Sequence, residues 1–281
     1  MTSLRYNAHD IRAWAEFSGD FNPIHFDLAR AARLNLLAVP VHGMRVMLDI
    51  KSALFQRMVG PAGAAHREAT GWLLYKAVLR SPVLCDERYT LEIEERRQGC
   101  HYALIDARGH DECVTGYMRA APEPQISPGL CTDMPAAWRS FTLTGKQLAG
   151  STSAFRTCAH RHNEAWMLLD ALLFGAALQD TGLFLQVAQS LKAGTARSAD
   201  DLMRSATVLQ THHSTLISEN VQKLRIDADG HVGELDAIDC RIDAPFIDGN
   251  PAEGFVVQVS LDAYDRGALL LRTTVGLKIF R

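Results

Sequence analysis

The 281-residue chain has no Cys-x-x-Cys pair. Its six cysteines (Cys85, Cys100, Cys113, Cys131, Cys158 and Cys240) are scattered, so free thiols in a reducing cytosol are expected. It has no surplus of basic residues either. The net charge is −3, which gives no electrostatic reason to expect a nucleic-acid partner. No apolar run reaches membrane-spanning length; the longest, residues 167–178, is interrupted by Asp170. The first residues, Met1-Thr2-Ser3-Leu4-Arg5-Tyr6, carry no apolar signal core, so a cytoplasmic protein is expected. His160-Arg161-His162 and His212-His213 lack helical ligand spacing and an obvious third ligand, so no metal site is expected. What is present is an ordinary globular balance, 47% hydrophobic and 22% charged, long enough for one large domain or two of usual size.

The chemistry concentrates in Phe17-Ser18-Gly19-Asp20-Phe21-Asn22-Pro23-Ile24-His25. The spacing of Asp20 and His25 suits neither one helix face nor one strand face. The two side chains converge only if the backbone between them bends, and the sequence supplies the bend. Gly19 permits unusual dihedrals, Pro23 restrains Asn22, and Asn22 can bond to nearby backbone. Carboxylate and imidazole on a shaped loop form a plausible proton-transfer pair. Downstream, Pro40 closes an irregular stretch and residues 43–58 read as a buried central helix with Gly43 at its start. Helix starts leave N–H groups free to meet a developing negative charge. Arg30, Arg33 and Arg45 lie close in sequence and could meet a phosphate or an acidic surface. His42 is read as structural.

A short helix beginning after Asn7, with Asp10 in its first turn, precedes this stretch, and Asp27 caps a second one over residues 28–34. Strands are expected at 72–79, 88–94, 100–107 and 112–120. Residues 121–150, with Pro122, Pro124, Pro128 and Pro135, read as a linker. The element order then recurs: a strand at 153–158, an apolar helix at 166–178, and strands at 205–218, 233–243, 254–264 and 268–280. Pattern alone says α+β.

Ser18-Gly19-Asp20-Phe21-Asn22-Pro23-Ile24-His25, followed after five residues by Ala31, resembles the hydratase motif of the MaoC-like, (R)-specific enoyl-thioester hydratases and dehydratases. The match is complete across that core. Phe17 and Trp14 depart from the usual residues just upstream and are expected to reshape the wall of the site, and with Phe21 to narrow its entrance. Pro40-Val41-His42-Gly43-Met44 is similar to a second region of that family, with one residue fewer before the histidine. Leu168-Leu169-Asp170-Ala171 faintly resembles a dehydratase helix that carries a catalytic Asp, but Phe174 stands where those families have Gln. A mouth-lining or helix-surface place is expected for Asp170.

The resemblance implies a double hotdog: residues 1–120 carrying the motif, the 121–150 linker, and residues 151–281 without it. It further implies a hydro-lyase that interconverts (R)-3-hydroxyacyl and trans-2-enoyl thioesters. The acyl group would ride on coenzyme A or an acyl carrier protein, with no cofactor or metal, in a monomer or homodimer. Asp20 and His25 would be catalytic, Asn22 supporting, Gly43 the oxyanion donor and Arg45 substrate-binding. A hotdog thioesterase relying on Asp49 or Asp170, or a non-catalytic acyl-thioester-binding subunit, are the alternatives.

Overall fold

The computed structural model describes residues 1–59, 71–108, 111–124, 139–159, 162–191, 198–233 and 235–280. The first half contains β1 (Thr2–Arg5), α1 (Ala8–Ser18), a single 3-10 turn (Pro23–His25), α2 (Leu28–Arg33) and α3 (Gly43–Val59). Four strands follow: β2 (Trp72–Leu79), β3 (Arg88–Arg96), β4 (Gly99–Asp106) and β5 (Glu112–Ala121). The second half contains β6 (Arg139–Thr144), α4 (Gly145–Ala159), α5 (Ala165–Gln179), α6 (Thr181–Ser190) and α7 (Ala199–Ser205). It closes with β7 (Thr207–Ile217), α8 (Glu219–Lys223), β8 (Ala237–Ile242), β9 (Phe246–Asn250), β10 (Gly254–Asp265) and β11 (Ala268–Phe280).

One antiparallel sheet runs through both halves in the order β1-β3-β4-β5-β2-β7-β11-β10-β8-β6, with β9 added on β10. The order is palindromic. Reading outward from the central β2–β7 pair, each strand of one half has a counterpart in the other. That pair is in register from Leu73 opposite Ile217 to Val78 opposite His212. Each half wraps its sheet on a long helix, α3 in the first and α5 in the second, which is a double hotdog. α5 is sequestered from water along almost its whole length, including Trp166, Met167, Leu168 and Leu169. At about 25 cal/mol per Å² of apolar surface, such helices contribute a large share of the burial that stabilises each half.

Two expectations need correction. The stretch 121–150 is not all linker: β5 extends to Ala121, and β6 and the start of α4 occupy 139–150. Pro122 and Pro124 follow β5, while Pro128 and Pro135 lie outside the described residues. Residues 153–158 are helical, not a strand. Leu148, Thr152, Phe155, Cys158 and Ala159 are buried at helical spacing, and that period, not local β-propensity, decides the conformation. The sequence pattern places no element at β1, α6, α7, α8 or β9.

Candidate active site

α1 sets the approach to the site. Asn7 accepts from the backbone of His9 and Asp10, while Asp10 accepts from the Asn7 N–H, forming a capping box. The helix ends where Gly19 takes the left-handed conformation (φ 76°) and its N–H donates to Ala15 O at 2.8 Å. Ser18 Oγ then accepts from the Asp20 N–H, and Asp20 Oδ1 accepts from the Asn22 N–H. Asn22 Oδ1 caps the 3-10 turn by accepting from the Ile24 N–H. Asn22 Nδ2 donates to Val208 O of β7 at 3.1 Å. Asn22 therefore bolts the loop to the second half of the chain.

The bend brings Asp20, His25 and His42 together, with one ligand-type atom of each within 4.8 Å of the others. His25 Nδ1–H donates to Pro40 O at 2.8 Å, which leaves its Nε2 as the basic nitrogen. His42 Nε2–H donates to the backbone carbonyl of Asp20 at 2.9 Å, and its ring packs on His25 with centroids 3.8 Å apart and planes tilted by 31°. His42 is buried and its Nδ1 has no hydrogen-bond partner. Burial raises the pKa of Asp20, opposed by His25 and by the Asn22 N–H. Burial lowers that of His25, opposed by Asp20 and Pro40, and lowers that of His42 further. The dyad thus favours an uncharged imidazole beside a carboxyl group of raised basicity. Two imidazoles and a carboxylate are also a donor set that a transition-metal ion can use.

Asp20, Asn22 and His25 border a cavity of about 240 Å³. Gly43, first residue of α3, lines the same cavity. A Cβ on Gly43 would lie 2.5 Å from Leu79 Cδ2 and 2.8 Å from Gln210 Oε1, so this wall has no room for a side chain. The far walls come from both halves: Met44, Val46 and Val114 from the first, Phe174, Leu178 and Val208 from the second. Gln210 of β7 lines it too, and its side-chain Nε2 is buried without a partner. No motif pointed to Phe174, Leu178 or Gln210 as wall residues, because only folding sets β7 and α5 against α3. Trp14 is fully buried in the core, Phe17 packs on Trp14 and Phe155, and Phe21 is exposed; none of the three lines the cavity.

Arg45 does not reach the cavity, contrary to expectation. Its side chain is 1% exposed and bridges Asp10 (2.9 Å) and Asp49 (2.7 Å), with the guanidinium over the Tyr6 ring. Helical geometry explains this: Arg45 lies two positions beyond Gly43 and so points to a different side of α3. Asp49 is held by Arg45 and by His162. Asp170 lies neither at a mouth nor on a helix surface. It is fully buried, ion-paired to Lys51 of α3, with Thr215 and Thr273 hydroxyls and His213 Nε2 around it. Burial pushes its pKa up, but His213, Lys51 and their hydrogen bonds outweigh that and hold it below the usual carboxylate range. His212 and His213 point apart along β7, and His160 and Arg161 lie outside the described residues. Cys85, Cys100, Cys113, Cys158 and Cys240 are free thiols; Cys131 lies outside the described residues.

No family model matches the chain. Over 78 residues it is 35% identical to the mitochondrial 3-hydroxyacyl-[acyl-carrier-protein] dehydratase of Arabidopsis thaliana. That match spans 28% of this chain and 42% of the relative, less than half the relative's length. A solved MaoC-like dehydratase superposes over 99% of this chain and 96% of its own, with a TM-score of 0.52 at 12% identity. A Mycobacterium tuberculosis protein described as having a double hotdog fold covers 99% of this chain and 94% of its own, with a TM-score of 0.48 at 12% identity. The fold is that of a MaoC-like dehydratase: a double hotdog in one chain. The fold that the resemblance in residues 18–31 implies is therefore the fold that the chain adopts. Among the described residues, no single helix is long and apolar enough to cross a membrane.

Proposed function

We propose that the chain is a hydro-lyase acting on acyl thioesters, interconverting (R)-3-hydroxyacyl and trans-2-enoyl forms with loss or gain of water. The observation that carries this reading is the convergence of Asp20 and His25 on an apolar cavity that also receives the start of α3 at Gly43. In the hydration direction Asp20 and His25 hold one water. Asp20, made more basic by burial, takes a proton as the water oxygen bonds to C3. The C2–C3 π electrons move toward the thioester carbonyl, whose oxygen gains charge. The Gly43 N–H meets that oxygen at the positive end of α3. Gln210, which lines the same cavity and whose Nε2 is buried without a partner, supplies a second donor. The dyad then returns a proton to C2 on the same face, and dehydration reverses each step. The thioester provides the activation, so this route calls on no metal, flavin or nicotinamide.

The thioesterase alternative is disfavoured by position. Asp49 and Asp170 are both tied into ion pairs, and neither lines the cavity. The test is hydration of crotonyl thioester on coenzyme A and on a carrier protein, followed by loss of the enoyl absorbance, with wild type and Asp20→Asn side by side. Turnover that disappears in a folded Asp20→Asn protein supports the assignment. Release of free thiol, or an undiminished Asp20→Asn enzyme, overturns it.

A further inference from the structure

A second cavity, of about 370 Å³, adjoins the first at Asn22, Ile24 and Met203. Arg30, Arg33 and Arg204 line it, with the Thr207 hydroxyl, and no carboxylate is among its lining residues. The three arginines have different duties. Arg30 Nη1 and Nη2 donate to the backbone carbonyls of Met203 (3.1 Å) and Arg204 (3.0 Å), and its Nε lies 4.0 Å from Asp27. It satisfies carbonyls in the last turn of α7 and so fixes the segment that presents Arg204. Arg33 and Arg204 are exposed, and among the described residues neither has an ion-pair or hydrogen-bond partner for its side chain. Two uncommitted guanidinium groups, a third bracing them, and a hydroxyl make a cavity suited to an oxyanion with several acceptor oxygens.

Resting on the hydro-lyase reading, we propose that this cavity seats the phosphate of the phosphopantetheine arm that carries the acyl thioester. The catalytic cavity would hold the acyl group and thioester, and the arm would leave past Ile24 and Met203 toward Arg33 and Arg204. One arginine comes from the half that carries the motif and the other from the half that lacks it, so the site exists only when both halves are folded together. The competing exit is past Arg80 and Lys278, which line the catalytic cavity but not the second one. Arg80 there is already bonded to the Thr115 hydroxyl and faces Glu112 at 3.9 Å, which leaves Lys278 as a lone cation. That side offers no paired guanidinium groups.

The experiment compares crotonyl-coenzyme A, a crotonyl carrier protein and crotonyl N-acetylcysteamine, which has no phosphate. The proteins are wild type, Arg33→Ala/Arg204→Ala and Lys278→Ala. The expected result is a KM for both phosphate-bearing substrates raised about tenfold or more in the double variant, with kcat held. That is the loss of roughly 1.4 kcal/mol of ground-state binding. The KM for the N-acetylcysteamine substrate should not move. A larger increase with the carrier protein than with coenzyme A would identify the carrier as the source of the phosphate; the reverse would identify coenzyme A. Equal changes on all three substrates, no change on any, or a selective effect of Lys278→Ala instead would overturn the proposal. If wild type turns over none of the three, the hydro-lyase reading fails by itself. Calorimetric binding of 4′-phosphopantetheine to wild type and not to the double variant then still supports the phosphate site, and equal or absent binding overturns it.

Discussion

The two hotdogs occupy equivalent places in one sheet, yet they have divided the work. In the first half, the chain between α1 and its central helix α3 runs from residue 19 to residue 42. In the second half, between α4 and its central helix α5, it runs only from 160 to 164. The longer connection carries Asp20, Asn22, His25 and His42; the shorter has no length for a comparable loop. The central helices differ in the same sense. α3 mixes apolar residues with Arg45, Asp49 and Lys51, whereas α5 is apolar on every side with Asp170 as its single charge. The lesson is that duplicating a fold does not duplicate a site. The first half holds Asp20 and His25, the groups proposed to react, and the second supplies a wall of the same cavity, through Phe174, Leu178, Val208 and Gln210.

The comparison can be broken first at the seam. Lys51 and Asp170 are both fully buried and pair across the two central helices. Removing one partner leaves an uncompensated buried charge, so Asp170→Leu alone should cost about 3–5 kcal/mol in denaturant unfolding. The double variant Lys51→Met/Asp170→Leu should recover most of that loss. A single variant that unfolds like wild type would show that the seam contributes nothing.

Next in size is the division of chemistry itself. Asp20→Asn or His25→Ala should lower kcat by at least roughly 10²-fold, the scale for a positioned proton-transfer group. If Asp170→Asn, kept folded, lowered kcat with crotonyl thioester as much, the second half would hold a reacting group after all. Gln210→Leu probes the contribution of the wall. Loss of one donor to a developing oxyanion typically costs on the order of 10² in kcat, with KM little changed. A change confined to KM would make Gln210 a packing residue only.

The smallest effects are linked to pH. Burial raises the pKa of Asp20 in the folded protein, so the native state pays for its ionisation as pH rises through that value. Asp20→Asn should therefore have a higher Tm than wild type at pH 7, and the difference should vanish only well below the ordinary Asp pKa of about 3.9, where Asp20 is protonated in both states. The acid limb of kcat/KM should lie above the ordinary carboxylate range for the same reason. His25 has the opposite sign: its folded pKa is lowered, so its stability contribution is full above the unfolded value and is lost as pH falls toward the folded one. A Tm gap between Asp20→Asn and wild type that grew on acidification would contradict the burial of Asp20.

Much of the fold was legible because its strands announce themselves by period. The boundaries of β2 and β11 match their expected ranges, since β-branched and apolar runs there end at clear turns. Residues 153–158 alone are too short to display the helical period, which emerges only when Leu148, Thr152 and Phe155 are taken together. In the site, Asp20, His25 and Gly43 could be named because one continuous stretch and a helix start contain them. Arg45 could not be placed, because nearness in sequence does not say which side of α3 a residue occupies. Asp170, expected at a mouth or on a helix surface, is instead enclosed by Lys51, Thr215 and Thr273, partners too distant in sequence to leave a local signal.

By itself, then, the sequence determined the bent loop and the acid/base side chains on it, because Gly19, Asn22 and Pro23 act within a few residues through local dihedrals and caps. It also determined the alternation that makes the strands. Only the tertiary structure decided which charges are available. Arg45 and Asp170 were removed from chemistry by partners far away in the chain, and Arg204 was brought beside Arg33. The physical reason is that solvation and pairing of a charge depend on everything packed around it, and here those neighbours come from two halves that meet only when the sheet closes at β2 and β7.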